Sequence, residues 1–454
     1  MIFPSTIDKD TSQIITAEEV GAKSTYGPWR YHHLPLPDAV EALRELANPV
    51  IEEVEDVQIH SLTVQPNVGR VSEDRYSIRK WVIKGETWLG CFVFDGHLGS
   101  QLVQSAIDEI PVAVEDSLTT YLSTRSPDQQ DEAAIGALLK KVIVDFDAKI
   151  EKDLRALFPL EELATLTKEQ IVERITASET NKNIVDRAMS GSMLACGVLN
   201  VEKRQLWIAT VGDCEALIGT KKETKWEAEL VCPLDDEWNE AEHDRVRKEH
   251  PGEEDVVIAL DTRPWILLSS LAVTRVLGNM TFKVEVPYVS QVFSAAAADG
   301  KWFEKLVPKL KTPPYASSEP HISYRQLTRE NRGGQFLLLM SDGVRAGFNS
   351  KNTDFDTVTT AFAGLVGRQI DSWNGNGDGE DVYHIETVEK SFGTIQKKYF
   401  ADKEEKNVAF SLLKNHFGGQ EEKLFSAKLA YYDMEGKYDT NKWMDDTTIV
   451  AVLF

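Results

Sequence analysis

Short apolar runs that abut acidic residues recur along the chain. Cys91–Phe94 stops on Asp95-Gly96-His97, and Phe336–Met340 stops on Ser341-Asp342-Gly343. The last run, Thr448–Phe454, is preceded by Met444-Asp445-Asp446. Runs this short, rich in Phe, Val, Ile and Leu, predict buried strands. Partial alternation predicts further strands over Val54–Val64, Tyr76–Ile83 and Glu86–Phe94. Four more are expected at Ser190–Leu199, Leu206–Val211, Glu215–Ile218 and Trp226–Cys232.

Helical spacing separates the strand groups. Ser100 is a candidate N-cap for a helix that buries Leu102, Val103, Ala106, Ile107 and Ile110. Pro111 is expected to interrupt it, with a second helical stretch running to Leu122. Ile135, Leu138, Leu139, Val142, Phe146, Ile150 and Leu154 form one stripe of a long helix over Asp131–Leu157. Residues 160–186 are polar and helical, and Trp238–His250 is helical up to Pro251-Gly252. Residues 285–334 read as irregular. Residues 349–440 read as mixed, with a Gly/Asn/Asp loop near 374–381 and helices around 384–400 and 403–417. Residues 1–50 read as an arm carrying a short helix at Asp38–Leu46. The remainder, 51–454, reads as one α+β domain with insertions near 155–187, 285–334 and 349–440.

Composition narrows the possible partners. The chain has 454 residues, and its 42% hydrophobic content can support a large core. Its 50 basic against 73 acidic residues leave −23, which argues against nucleic acid or an anionic membrane as partner. No run approaches the ~18 apolar residues of a membrane helix. Cys91, Cys196, Cys214 and Cys232 lack paired CxxC spacing and are expected to be reduced core thiols. The first twenty residues carry one Lys and four acids, so no transit peptide is legible and the sequence alone points to the cytoplasm.

Four acidic clusters share one grammar: Glu73-Asp74, Asp95-Gly96-His97, Asp342-Gly343 and Asp445-Asp446, each beside a strand. Singly, each reads as a turn or cap. As a set, carboxylates at the ends of buried strands converge and repel unless cations lie between them. Oxygen ligands with retained waters suit Mg²⁺ or Mn²⁺, and two such ions can activate water and clamp a phosphoryl group. Gly212-Asp213 falls where a hairpin turn between two strands is expected. Asn374–Asp381 faintly resembles a calcium loop, but its twelfth position is Ile385 rather than Glu. Trp81, Trp88 and Trp207 are expected in the core, and His32, His33 and His243 show no metal-ligand spacing.

The ordered motifs E-D-R, F-V-F-D-G-H-L-G, S-G-S-M, T-V-G-D-C-E-A-L, L-L-M-S-D-G and D-D-T-T-I-V resemble the metal-dependent Ser/Thr protein phosphatases of type 2C, over about residues 54–454. A narrower likeness, carried by 238–252 and 312–327, is to the pyruvate dehydrogenase phosphatase branch. The resemblance implies a four-layer αββα sandwich of two antiparallel sheets flanked by helices, with two Mg²⁺ or Mn²⁺ ions. It implies that Asp95 bridges both ions, that Glu73 and the Gly96 carbonyl complete one site, and that Asp342 and Asp445 complete the other. It implies that Asp74 holds a water at the ions, that His97 is the general acid, and that Asp213 with Asp342 belongs to a weaker third metal site.

Several positions depart from the family pattern. Leu98 replaces a Gly. The position of the phosphate-gripping Arg is Gly69, with Arg70 one residue away as its candidate substitute. The usual S-R-A-x-G-D is Thr274-Arg275-Val276-Leu277-Gly278-Asn279, and the Trp and acid expected after Asp342-Gly343 are Arg345 and Ala346. Ala346 removes a carboxylate from the third site. The expected activity is hydrolysis of phosphoserine and phosphothreonine in a protein substrate, by a monomer that does not insert into a membrane. Two alternatives are a weakened phosphatase-like domain that binds phosphoproteins and a hydrolase of small phosphate esters. The branch likeness implies a dehydrogenase subunit as substrate and the mitochondrial matrix as compartment.

Overall fold

The computed structural model describes residues 13–16, 29–65, 71–124, 132–223, 225–236, 238–260, 263–298, 300–328, 334–346, 355–373, 382–389, 393–400, 404–429, 431–432 and 444–454. The chain sorts into two compact units, one from 1–76, 216–231 and 327–454, the other from 77–215 and 232–326.

The first unit is built on a six-stranded sheet in the order Lys225–Leu230, Glu215–Lys222, Gln335–Met340, Thr447–Leu453, Val57–Val64, Val50–Val54. Thr447–Leu453 is buried at every position and pairs antiparallel with both neighbours. Being covered on both faces, it reads as an unbroken apolar run instead of an alternating one. Helices Leu36–Ala47, Phe355–Trp373, Val408–His416 and Glu422–Leu429 share a core with this sheet through residues such as Leu43, Phe362, Leu412 and Phe425. Ile15 and Tyr31, from within the first fifty residues, are buried in that same core. The sheet runs antiparallel in its centre and helices pack on it, as an α+β fold requires.

The second unit carries a sheet in the order His321–Gln326, Gln205–Val211, Gly191–Asn200, Glu86–His97, Arg75–Ile83, and the short strand Leu277–Gly278 pairs with Gly191–Ser192. The longest register joins Glu86–His97 to Gly191–Asn200, from Trp88↔Asn200 to His97↔Gly191. Helix Glu132–Leu157 buries Ile135, Leu139, Val142, Phe146, Ile150 and Leu154, the stripe expected of it. Trp88 and Trp207 stack at 5.8 Å inside this unit, as core residues.

Four local expectations are corrected. Pro111 does not break its helix, which runs continuously as Gln101–Ser123. Ile110, Pro111 and Val114 are all buried, and that packing offsets the roughly 3 kcal/mol of an interior proline. Residues 384–400 are not helical, because Val382–Glu389 and Gly393–Phe400 pair as an antiparallel hairpin. V-Y-H-I-E-T-V-E is dense in β-branched and aromatic residues, which favour strand over helix. The stretch read as irregular contains the edge strand His321–Gln326. Gly212-Asp213 is no hairpin turn, since the strands on either side belong to different sheets.

Candidate active site

In the first unit, sheet register gathers acids at strand ends. Asp342 opens the short helix Asp342–Ala346 immediately after Gln335–Met340, and Asp446 immediately precedes Thr447–Leu453. Met340 pairs with Ile449, and the ladder continues as Ser341 N donates to the Thr448 carbonyl at 3.2 Å. Thr448 N donates to Ser341 Oγ at 2.9 Å, and the Thr63 and Thr448 hydroxyls bond at 2.8 Å. Gly343 is required by close approach, because an added Cβ would overlap the Asp446 carbonyl.

Asp446, buried, accepts hydrogen bonds from Glu73 N at 2.7 Å and Gln65 Nε2 at 2.6 Å. Its own N–H donates to Asp445 Oδ1 at 2.9 Å, and Asp445 is exposed. Asp74 is 1% exposed. Burial raises its carboxyl well above the ordinary range, the charges of Asp446 and Asp342 raise it further, and the nearby Ser341 and Thr448 hydroxyls pull it back. Among the described residues, neither Asp74 oxygen meets a donor in good hydrogen-bond geometry. A buried carboxylate beside two further acids fits a hydrated divalent cation with hard oxygen ligands.

In the second unit, Asp95, Gly96 and His97 lie within a strand and form no turn. They pair with Met193, Ser192 and Gly191 because Gly191–Asn200 continues alongside them. The chain turns only afterwards, at Leu98 (φ 61°) and Gly99 (φ 116°). Asp95 is 8% exposed, and one of its carboxylate oxygens lies within 4.8 Å of one of Asp213's. His97 Nε2 lies 2.6 Å from Asn279 Oδ1. Burial lowers the His97 imidazole below its usual range, and the contact with Asn279 opposes that shift.

The profile of protein phosphatase 2C matches residues 86–352, more than half of the chain. The chain belongs to the protein phosphatase 2C family. Human "[Pyruvate dehydrogenase [acetyl-transferring]]-phosphatase 2, mitochondrial" is 29% identical over 171 residues, 37% of this chain and 31% of the relative. The Saccharomyces cerevisiae "[Pyruvate dehydrogenase [acetyl-transferring]]-phosphatase 1, mitochondrial" is 26% identical over 329 residues, 70% of this chain and 48% of the relative. The matched stretch thus spans about a third to a half of the length of these relatives. Among solved structures, "serine-threonine phosphatase 2C from Toxoplasma gondii" aligns with 89% of this chain and 98% of its own, at 13% identity and a TM-score of 0.47.

In this phosphatase family member, the T-R-V-L-G-N segment is held from both ends by acids that sequence reading did not single out. Asp235 accepts from Thr274 N at 2.8 Å, from Thr274 Oγ1 at 2.9 Å and from Arg275 N. Glu242 grips the Arg275 guanidinium through two bonds of 2.9 Å. Asp147, in helix Glu132–Leu157, accepts from Gly278 N at 2.7 Å and from Lys283 Nζ at 2.8 and 2.9 Å. Lys283 is buried, and its ammonium also donates to the Val276 carbonyl at 2.7 Å. Asp147 lies 131 residues from Gly278, and Glu242 lies 33 from Arg275, so no local spacing announces either link.

The Glu242 pair has a consequence for pH. Burial pushes its carboxyl up, but Arg275 and Arg245 more than offset this and hold it at about 2. A folded value below the unfolded one, roughly 4.3, means its stabilisation is complete above about pH 5 and is lost as pH falls toward 2. Glu242→Gln should cost about 3–5 kcal/mol at pH 7 by stranding Arg275, and less at pH 3. Urea midpoints of both proteins at the two pH values check this; equal differences at both would contradict it.

Arg70 and the loop 374–381 lie outside the described residues, as does the side chain of Ala346. The four cysteines are buried thiols outside any disulfide, with Cys196 pushed up to about 12 and Cys232 to about 11 by burial, so neither of these two is a nucleophile near neutral pH. Among the described residues, no helix is long and apolar enough to cross a membrane.

Proposed function

We propose that this chain is a Mg²⁺- or Mn²⁺-dependent protein serine/threonine phosphatase acting on a pyruvate dehydrogenase-type substrate. Its family supports the reaction class, and the buried acids Asp74 and Asp446 with the half-buried Asp342 support the metal dependence. Asp95, the Gly96 carbonyl, Glu73, Asp342 and Asp445 are the residues that would hold two ions. When bound, the ions neutralise phosphoryl oxygens and acidify a water. Asp74 would accept a hydrogen bond from the attacking water and orient it. His97 delivers a proton to the departing Ser or Thr oxygen. Arg70 contributes a cation toward the phosphate. Asp213 with Asp342 supplies the acids of a weaker third site, to which Ala346 adds none. The domain spans 51–454.

The dehydrogenase substrate and a mitochondrial location rest on the names of the curated relatives. Weakened catalysis is opposed by the presence of Glu73, Asp95, His97, Asp342 and Asp445, and Asn279, where the family has Asp, contacts His97. Phosphate release from a phosphothreonine peptide should require added Mn²⁺ or Mg²⁺ and vanish with a chelator. Metal-independent release, or none with metal, would refute the reading. Phosphorylated pyruvate dehydrogenase should be turned over faster than an unrelated phosphoprotein; equal rates would remove the substrate assignment.

A further inference from the structure

We propose that Asn279 is a positioning residue for His97: its amide oxygen accepts from Nε2–H, fixing the ring's orientation, so that Nδ1 is the nitrogen that takes up a proton from solvent and gives it to the leaving oxygen, returning to the neutral Nε2–H ring. This rests on the phosphatase reading above. Three observations carry it. The 2.6 Å contact joins Nε2 to the Asn279 amide oxygen, and an amide oxygen accepts, so this arrangement pairs with the tautomer protonated at Nε2. Asn279 is 2% exposed and stands in the left-handed region (φ 45°, ψ 48°), which Asn tolerates better than most residues. Its N–H donates to the Ser190 carbonyl at 2.8 Å, next to the Gly191 that pairs with His97.

The surroundings leave this pair little freedom. An added Cβ at Gly191 would overlap both Asn279 Oδ1 and His97 Nε2, so the absent side chain at Gly191 is the space the pair occupies. The turn presenting Asn279 is pinned through Gly278 by Asp147 and through Thr274 and Arg275 by Asp235 and Glu242. Gly278 itself has φ 70°, and its added Cβ would meet Leu102 and the Ser190 carbonyl. Buried carboxylates therefore set where the turn sits, and the turn sets the imidazole. A neutral amide directs the ring without placing a negative charge against the imidazole, which a carboxylate at this position would do.

The test separates positioning from mere stability by leaving-group dependence. Asn279→Gly removes the amide while keeping the left-handed backbone accessible. It should lower kcat on a phosphothreonine peptide, whose alkoxide needs a proton to leave, by about 10²-fold. On p-nitrophenyl phosphate, whose leaving group departs unassisted, the change should stay below about threefold. The double variant with His97→Ala should be no slower on the peptide than His97→Ala alone, and Asn279→Asp should recover part of what Asn279→Gly loses. Equal losses on both substrates, or additive losses in the double variant, would overturn the proposal. A wild type inert on both substrates would instead sink the phosphatase reading. The ¹⁵N-histidine spectrum of the full chain then decides the orientation by itself. In the neutral ring, a His97 signal protonated at Nε2 and bare at Nδ1 supports the inference, and the reverse tautomer ends it; the proton that is delivered is the one Nδ1 gains in the imidazolium.

Discussion

Asp95→Asn should reduce turnover of a phosphothreonine peptide by at least about 10²–10³-fold while leaving the fold intact. Asp95 lies inside the ten-residue pairing of Glu86–His97 with Gly191–Asn200, opposite Met193, so its backbone is fixed by the sheet. The substitution is isosteric, and the carboxylate it replaces sits near that of Asp213. Removing one charge relieves repulsion in the empty protein, so thermal stability should hold or rise. The same loss of charge weakens the grip on two divalent cations, so the residual activity should demand more Mn²⁺. Steady-state kinetics across a metal titration, with a melting curve alongside, measure both effects. Wild-type turnover in this variant would remove Asp95 from the metal-holding set.

Gly343→Ala is the second large effect, and it acts through packing. A Cβ at Gly343 would overlap the Asp446 carbonyl, and both partners are backbone, which cannot rotate aside. Overpacking of this kind costs about 1–3 kcal/mol. The displacement would fall on Asp446, whose carboxylate holds Glu73 N and Gln65, and on Asp342, which precedes Gly343. A more than tenfold loss of kcat should therefore accompany the lower melting temperature. Gly252→Ala is the control: φ there is 85° and no atom lies within 4 Å of the added Cβ, so it carries backbone strain alone and should not alter turnover. Similar kinetics in the two variants would show that the Gly343–Asp446 contact does not serve the site.

Most strands were legible because the core covers them. Phe336–Met340 and Ile449–Phe454 are apolar without interruption, and both lie in central strands. The helix stripe of 132–157 was legible for the same reason, since burial on one face imposes its period on the sequence. Local chemistry misled where tertiary packing overrode it. Asp-Gly is a turn signal, yet in Asp95-Gly96-His97 it stays in the strand, because the neighbouring strand supplies partners through Gly191. Pro111 is a helix breaker, yet buried neighbours carry the helix through it.

The candidate site divides along the same line. Glu73, Asp74, Asp95, His97, Asp213, Asp342 and Asp445 could be nominated because acids beside apolar runs are conspicuous in sequence and fall in family order. That Asp446, not Asp445, is the buried member holding Glu73 N could not, since two adjacent Asp residues differ only in which way the strand points them. Nor could the clamps on the 274–283 segment, because Asp147, Asp235 and Glu242 meet it from distant parts of the chain. The sequence by itself determined the family, most of the strands and the identity of the acids, since these follow from residue types and short-range periodicity. Only the tertiary structure decided which carboxylates are buried, which share hydrogen bonds, and which residue faces His97. Those properties depend on register and on contacts between residues far apart in sequence, where no local pattern records them.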